Sequence, residues 1–447
     1  MHALKQSNNL SREQVKPLSV IVFLTPVFFL VVKGWVNTSL FLLFFVSLWF
    51  IFKEPNKFLS NRGRQFWIIF VSLLAPFIAE LLAQLGREGF VASSLDGPSR
   101  AILAAIVFVY LSKRDSENLL SSLILGSAIG VVIVFAYLQI FPSHFWGGRA
   151  ATYFVDPITL PCYTVGLAGI FVFGNTPYLS NRVGLFAKLL IVLITIYIAV
   201  ESQSRSAWLA GIVLVEVYLL YSLRKSLLNQ VIATLLLAFG LFGIFTFSEI
   251  VNGRVMESFE GLMAFIKQGG GQSSSTGQRL ILLLIDIELL KDNLLFGTTD
   301  ATIPPYEHLK SLIPSLTREI YEIKILAGSH SEFLGQVVGK GVIFGGFALW
   351  GLIFYPLYLI IYRYRAKGLL DYGLGSLFGL LVPVVVSGFT IQMFNLKMTI
   401  SFYMLALAIS LAHYHRNCLI SKPRVEGQSK ACKNRTFSDI FLEKKRF

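Results

Sequence analysis

Three residues far apart in the 447-residue chain have types and settings that favour chemistry on an anionic substrate: Arg205, Arg279 and His330. Arg205 lies in the segment Ser-Arg-Ser-Ala-Trp at 204–208, at the start of an apolar run. Its planar guanidinium suits phosphate oxygens. Near a membrane, the same side chain could instead simply extend to the interface.

Arg279 follows a glycine- and serine-rich stretch at 269–276 and opens an amphipathic segment at 278–291. Ser275 and Gln278 have the spacing of a capping box, which predicts that Arg279 lies in the first turn of a helix. The exposed backbone N–H groups and the helix dipole favour an anion at that end. Two features therefore predict an anion site at Arg279.

His330 lies in Gly-Ser-His-Ser-Glu-Phe-Leu at 328–334, where Ser329 and Glu332 again have capping-box spacing. This predicts the imidazole in the first turn of a helix, where the dipole disfavours the charged ring and leaves it able to accept a proton. His144 and His308 lack such a setting. A lone histidine is often structural, so a catalytic role depends on proximity to the two arginines.

Other polar residues give weaker indications. Several are predicted to face outward and could orient a sugar or support His330: Asp96, Arg100, Arg149, Asp156 and Glu332. Glu80 and Glu216 fall within apolar runs, where an ionisable group is costly and often functional.

Paired acidic residues give no metal site. Asp286 and Glu288 are two apart on a predicted helix, so their carboxylates diverge. We therefore expect no bound metal and no cofactor.

The elements that position these residues are predicted to be membrane helices. Hydrophobic residues make up 55% of the chain and charged residues 14%, with a mean hydropathy of +0.67. A soluble protein carries about 25% charged residues, so an ordinary soluble enzyme is excluded. The net charge of +14 comes from basic residues between apolar runs, which indicates orientation in a membrane rather than nucleic-acid binding.

Twelve apolar runs approach the roughly 20 residues that a spanning helix needs. They lie near 18–32, 36–52, 66–85, 101–112, 119–141, 157–174, 186–202, 207–222, 229–249, 341–361, 372–390 and 398–414. Short loops on the side of the termini hold 13 Lys and Arg residues, against 6 in the opposite short loops. This bias predicts that both termini are cytoplasmic. The first run could instead be a signal peptide, but no small-x-small cleavage site follows it.

The predicted organisation is an all-α polytopic membrane protein with one large soluble part. A cytoplasmic arm (1–17) precedes nine spans (18–249), an outward cap (250–340), three more spans (341–414) and a basic cytoplasmic tail (415–447). Amphipathic stretches at 253–267, 278–291 and 318–327 predict that the cap is helical.

Taken in order, these segments resemble the O-antigen ligase and O-antigen polymerase superfamily of bacterial membrane glycosyltransferases. The similar parts are 204–208, Gln-Arg at 278–279, 328–334 and the glycine-rich run that follows, with Asp-Gly-Pro-Ser-Arg at 96–100. The chain departs from the family at Ser331, where Asn is frequent, and at 297–300, where Gly-x-Gly is frequent. These departures remove no catalytic group, but they leave open which subtype of the superfamily, and hence which acceptor, the resemblance implies.

The resemblance implies a helical fold related to the C-type glycosyltransferases. It implies that Arg205 and Arg279 bind the diphosphate of an undecaprenyl-diphosphate-linked glycan, and that His330 activates the acceptor hydroxyl. Transfer would invert the anomeric carbon without a metal, at the periplasmic face of the inner membrane. The expected partners are this donor, an acceptor and membrane lipids, and no nucleic acid.

Three functions remain open from sequence. The acceptor is lipid A–core in a ligase, and another repeat unit in an O-antigen, capsule or exopolysaccharide polymerase. A flippase of lipid-linked glycan also fits twelve spans, although a long outward cap and the lack of an inverted repeat disfavour it.

Overall fold

The computed structural model describes residues 17–60, 62–87, 90–114, 116–141, 146–174, 181–268, 274–298, 303–368, 370–394 and 396–420, in which every regular element is helical. The predicted arm and nearly all of the predicted basic tail lie outside these residues. So do His144 and most of the glycine–serine stretch before Arg279.

The described residues form eighteen α-helices, besides a short helical turn at Ala92–Leu95 and a π-helical stretch at Trp350–Phe354 that joins α15 to α16. Those before the cap are α1 (Pro17–Phe28), α2 (Trp35–Lys53), α3 (Pro55–Leu59), α4 (Arg64–Gly86), α5 (Asp96–Leu111), α6 (Glu117–Ile140), α7 (Thr159–Phe173), α8 (Asn181–Glu201), α9 (Arg205–Ser222) and α10 (Leu227–Phe247). The others are α11 (Glu249–Gln268), α12 (Ser275–Asp292), α13 (Tyr306–Leu312), α14 (Arg318–Ala327), α15 (Glu332–Leu349), α16 (Tyr355–Lys367), α17 (Tyr372–Gly388) and α18 (Lys397–Ile420).

Each of the twelve predicted apolar runs falls on a helix. Eight helical stretches are long and apolar enough to cross a membrane, and α1, α7 and α17 are shorter apolar helices. The chain is therefore a multi-pass membrane protein. The count of twelve spans and the position of the termini stay predictions.

The centre of the bundle is formed by α5, α7, α17 and α18. Glycines allow α7 and α17 to touch, since a Cβ atom on Gly169 or Gly379 would overlap the backbone of the other residue. By contrast, α10 buries none of its side chains, as expected for a helix that faces lipid. The outer helices thus depend on a membrane, while the central ones form a packed core.

The described part of the region predicted as a cap contains four helices, α11 to α14, and the first half of α15. The amphipathic stretches at 253–267, 278–291 and 318–327 correspond to α11, α12 and α14, whereas α13 was not predicted. Apolar residues of α12, α13 and α14 form a separate buried cluster that includes Ile285, Leu309 and Ile320. The cap therefore has its own core, although the side of the membrane that it faces stays a prediction.

Helix α15 is broken at Gly341, which has φ 80° and ψ 165°. The loop after α12 bonds to both sides of the break: Thr298 N donates to Val338 O at 2.8 Å, and Val342 N donates to Leu294 O at 2.8 Å. Because a Cβ on Gly345 would overlap the Gln336 carbonyl, the two halves of α15 fold against each other. The half that follows His330 is thus a short helix separate from the predicted tenth span.

Candidate functional site

Arg205, Arg279 and His330 line one cavity of about 240 Å³. Arg205 lies at the start of α9, Arg279 on α12 and His330 in the segment before α15. More than 120 residues of sequence separate Arg205 from His330. The structure therefore brings together the three residues that the sequence singled out.

Arg205 connects α9 to the cap helices. One guanidinium nitrogen, Nη1, donates to the Arg254 carbonyl at 3.3 Å and to Ser258 Oγ, both on α11. The other, Nη2, donates to Ser275 Oγ at 2.5 Å, at the start of α12. Arg205 is thus held among cap residues and does not simply extend into solvent at the interface.

The position of Arg279 differs slightly from the prediction. Ser274, rather than Ser275, caps α12, and its Oγ accepts a hydrogen bond from Gly277 N at 3.0 Å. Arg279 is therefore the fifth residue of the helix, and the prediction that it lies in the first turn was wrong. Burial lowers the pKa of Arg279, and the charges of Arg205 and Arg149 lower it further. An arginine remains cationic despite such a shift.

The position of His330 was also predicted wrongly. Ser331 caps α15 and accepts from Leu334 N at 3.5 Å, so His330 lies before the helix rather than in its first turn. The expectation of a neutral ring nevertheless agrees with its surroundings. Burial, followed by the charges of Arg279 and Lys324, lowers the pKa of His330 to about 4. At neutral pH the ring can accept a proton.

Buried polar contacts hold the segment that carries His330. Lys324 Nζ donates to Asp286 Oδ1 and, at 2.9 Å, to Ser329 Oγ. Ser329 Oγ in turn donates to Asp286 Oδ1 at 2.9 Å. The predicted capping role of Ser329 was wrong because its hydroxyl is engaged with Asp286. Next along the chain, Ser331 Oγ donates to Gly388 O at 3.1 Å.

Two more arginines line the cavity. Arg149 was predicted from its outward loop, and its Nε donates to Ser202 O at 2.9 Å. Burial is the main cause that lowers the pKa of Arg149. Arg254 was missed: it donates to Gln203 Oε1 at 2.7 Å and pairs with Glu257 at 2.8 Å. Its place in the amphipathic stretch 253–267 was the only sequence signal, and it did not distinguish Arg254 from a surface cation.

The cavity has an excess of positive charge. Among the residues that the structure describes, Arg149, Arg205 and Arg279 form no ion pair with a carboxylate, and no Asp or Glu lines this cavity. Buried cations are normally paired. The arrangement therefore suits a ligand that carries more than one negative charge.

A second cavity of about 380 Å³ adjoins the first and shares Arg205, Ser206, Arg279 and His330 with it. Much of its remaining wall is apolar and is formed by Leu209, Leu280, Leu283, Leu334, Val386 and Phe389. Phe389 and Leu209 are themselves well exposed, at 67% and 52%. A ligand at the shared residues can thus have a polar part in one cavity and an apolar part in the other.

Asp96 and Arg100 lie elsewhere in the described structure. The prediction placed them in an outward loop, but a short helical turn at Ala92–Leu95 runs directly into α5, which begins at Asp96. Asp96 pairs with Arg100 at 2.7 Å and with Lys397. These contacts join α5 to α18 and give the two residues a structural role.

Glu332 and Asp156 also make structural contacts. Glu332 is buried and accepts from Gln336 Nε2 at 2.6 Å and from Phe394 N at 3.0 Å. Asp156 accepts from Ile158 N and Thr159 N at the start of α7. Neither carboxylate lines the two cavities described above.

The two glutamates within apolar runs now have partners. Glu80 lies between Arg87, at 3.0 Å, and Lys340, at 3.3 Å. Gln84 and Ser94 donate further hydrogen bonds to it. Glu216 on α9 accepts from Thr234 Oγ1 on α10 at 2.7 Å. We refer to Glu80, Arg87 and Lys340 below as the Glu80 cluster.

Comparison with known proteins identifies the region that contains the cavity. No curated protein matches the chain. A family model described as O-antigen ligase matches residues 190–351, which include Arg205, Arg279 and His330. The match confirms the predicted resemblance to the O-antigen ligase superfamily over residues 190–351.

Proposed function

We propose that the protein transfers a glycan from undecaprenyl diphosphate to an acceptor hydroxyl at the periplasmic face of the inner membrane, most specifically from the lipid-linked O-antigen to lipid A–core. The observation that carries this proposal is the meeting of Arg205, Arg279 and His330 where a polar and an apolar cavity join. The O-antigen ligase domain supplies the class of reaction.

The arginines are assigned to the diphosphate. In the transfer, the bond between the anomeric carbon and the phosphate oxygen breaks, and negative charge grows on the leaving diphosphate. Arg205 and Arg279 are fixed before the reaction and stabilise that charge. Each charged hydrogen bond contributes about 1.5–3 kcal/mol.

His330 is assigned to the acceptor. Its uncharged ring takes the proton of the acceptor hydroxyl as the oxygen forms its bond to the anomeric carbon. A positioned general base accelerates such a step by about 10²–10⁴. The polyprenyl chain then lies along the apolar cavity, and the sugars lie in the polar cavity under the cap. Neither the transfer nor its proposed inversion at the anomeric carbon requires a metal or a nucleotide.

The central experiment is transfer by purified protein supplied with lipid-linked donor and lipid A–core acceptor. His330→Ala should abolish product formation while donor binding is retained. His308→Ala is the matched control, because His308 is an exposed histidine of α13 in the same cap. Normal turnover by His330→Ala would remove His330 from the mechanism.

A deletion strain distinguishes ligation from polymerisation, the alternative function of the same residues. Loss of all long glycan on lipid A–core, while lipid-linked polymer accumulates, indicates a ligase. A single repeat unit left on the core indicates a polymerase. Bond formation in the purified system would exclude a flippase that only moves the donor.

A further inference from the structure

We propose that Asp286 and Lys324 are positioning residues that hold His330 beside Arg279. This inference rests on the proposed function, in which His330 accepts the acceptor proton. Neither residue was selected from sequence as part of the site. Both belong to cap helices, Asp286 to α12 and Lys324 to α14.

The pair fixes three segments relative to one another. Asp286 lies seven residues after Arg279, two turns further along the same face of α12. The Lys324–Asp286 ion pair joins α14 to that face, and Ser329 bonds to both residues. Because His330 is the next residue, the position of its ring relative to Arg279 depends on this three-residue cluster, which we call the Asp286 cluster.

Burial makes these contacts specific. The side chains of Lys324 and Asp286 are only 4% and 2% exposed, and Ser329 is 4% exposed. A buried ion pair is costly to form and is weak support for stability by itself. It does, however, allow few alternative geometries, so it suits the fixing of a catalytic segment.

The Asp286 cluster also places charge near the ring. Four charged side chains adjoin His330: Arg205 from α9, Arg279 and Asp286 from α12, and Lys324 from α14. Arg149 and Arg254 share the polar cavity with it. The charge of Lys324 helps to keep the ring neutral, while Asp286 offsets that charge. Loss of Lys324 and loss of Asp286 should therefore have different effects on the pH dependence of transfer.

The test compares Lys324→Met and Asp286→Asn in the purified transfer reaction. Both variants misplace His330, so we expect kcat to fall by about 10²-fold while KM for the donor changes little. Lys324→Met removes a cation near the ring and leaves an unpaired carboxylate, and both changes raise the pKa of His330. The fall of kcat on the acid side of its pH profile, the acid limb, therefore moves to higher pH. Asp286→Asn leaves the cation, and its acid limb does not move upward.

Further variants address folding and coupling. Ser329→Ala removes one hydroxyl, keeps the ion pair, and should give a smaller loss of kcat in a folded protein. The double variant Asp286→Asn with Lys324→Gln keeps a hydrogen-bonding pair without charge, and its kcat should exceed that of either single variant. Glu288→Gln and Lys291→Met are matched controls, because these residues form an ion pair on the same helix that is far more exposed than the Lys324–Asp286 pair.

The outcomes separate this inference from the proposed function. Native kcat in Ser329→Ala, Lys324→Met and Asp286→Asn, combined with an inactive His330→Ala, would overturn the positioning role alone. An unchanged acid limb in Lys324→Met would overturn the electrostatic part. An active His330→Ala would overturn the proposed function itself.

Discussion

Two regions of this protein hold several cations that are largely or partly withdrawn from solvent, and they differ in how the charge is balanced. In the Glu80 cluster, Arg87 and Lys340 share one carboxylate that accepts further hydrogen bonds from Gln84 and Ser94. Around the polar cavity, Arg149 and Arg205 donate to neutral groups, and no described carboxylate forms a direct ion pair with Arg149, Arg205 or Arg279. Glu257 acts on Arg149 and Arg205 only at longer range, as does Asp156 on Arg149.

The difference separates structure from ligand binding. Buried charges that are paired with opposite charges in the same chain need no ligand, and they hold the elements that carry them in place. Arg87 also donates to Gly339 O at 2.8 Å, next to the break in α15, so the Glu80 cluster fixes that break. Half-buried cations that pair directly with no carboxylate stay in a less favourable environment until an anion binds. The first region should therefore control stability, and the second should control activity.

The largest expected effect is on stability, in the Glu80 cluster. Glu80→Ala leaves Arg87 and Lys340 buried without their carboxylate, and removal of one partner from a buried pair costs about 3–5 kcal/mol. We expect a large fall in the thermal unfolding temperature in detergent. The transfer rate per folded molecule should change much less.

Glu54→Ala is the control for this prediction. Glu54 pairs with Lys57 at 2.7 Å, and both side chains are more than a third exposed. Such pairs contribute about 0–1 kcal/mol. If Glu80→Ala and Glu54→Ala had equal unfolding temperatures, the Glu80 cluster would not have the structural role assigned to it.

The next largest effect is on activity, at Arg279. Arg279→Gln removes a preorganised cation from the leaving group, and removal of one such donor lowers kcat by about 10²–10³-fold. The unfolding temperature should not fall, because the substitution relieves repulsion among the arginines. Added inorganic diphosphate should raise the unfolding temperature of the native protein more than that of the variant.

Arg318→Gln is the matched control for Arg279→Gln. Arg318 is exposed at the start of α14 in the same cap. Its loss changes the net charge equally but leaves the cavity intact. Equal losses of transfer rate in the two variants would mean that the net positive charge of the cap, rather than the arrangement of residues in the cavity, determines the rate.

A smaller effect is expected at Arg149, which also lines the polar cavity. Arg149→Gln should lower transfer by about 10-fold, the equivalent of one charged hydrogen bond. Measuring the unfolding temperature of this variant at increasing concentrations of inorganic diphosphate would check that diphosphate binding weakens together with the transfer rate. A loss as large as that of Arg279→Gln would place the diphosphate nearer to Arg149 than we propose.

The sequence predicted the parts of this molecule that depend on local patterns. Apolar runs near spanning length all fall on helices, and amphipathic periodicity found α11, α12 and α14. Residue type and setting selected Arg205, Arg279 and His330 because a cation or an imidazole beside a serine-rich helix start is unusual in so apolar a chain. These signals are contained in a few neighbouring residues.

What the sequence did not predict depends on long-range contacts. Asp286 and Lys324 are 38 residues apart, and each resembles an ordinary charged residue on an amphipathic helix. Of the two partners of Glu80, Arg87 is only seven residues away and was missed, whereas Lys340 is distant in sequence and is brought close only by the fold. The caps were displaced by one residue at Ser274 and by two at Ser331, since several serines compete there and tertiary contacts decide which one caps the helix.

The smallest expected effect is that of mild acid on the native protein, and it tests whether burial and the neighbouring cations together lower the pKa of His330. The pKa of His330 lies at about 4, below the ordinary value of 6.5, so its uncharged form persists as the pH falls through the usual range of histidine. Transfer that depends on this ring should stay nearly constant from neutral pH down to about pH 5, and fall only as the pH approaches 4. Initial rates across this range, with the folded fraction measured at each pH, would check it. An acid limb centred near 6.5 in a folded protein would mean that neither the burial of the ring nor the charges of Arg279 and Lys324 lower the pKa of His330 as described. The cations around the polar cavity would then have no effect on the proposed base.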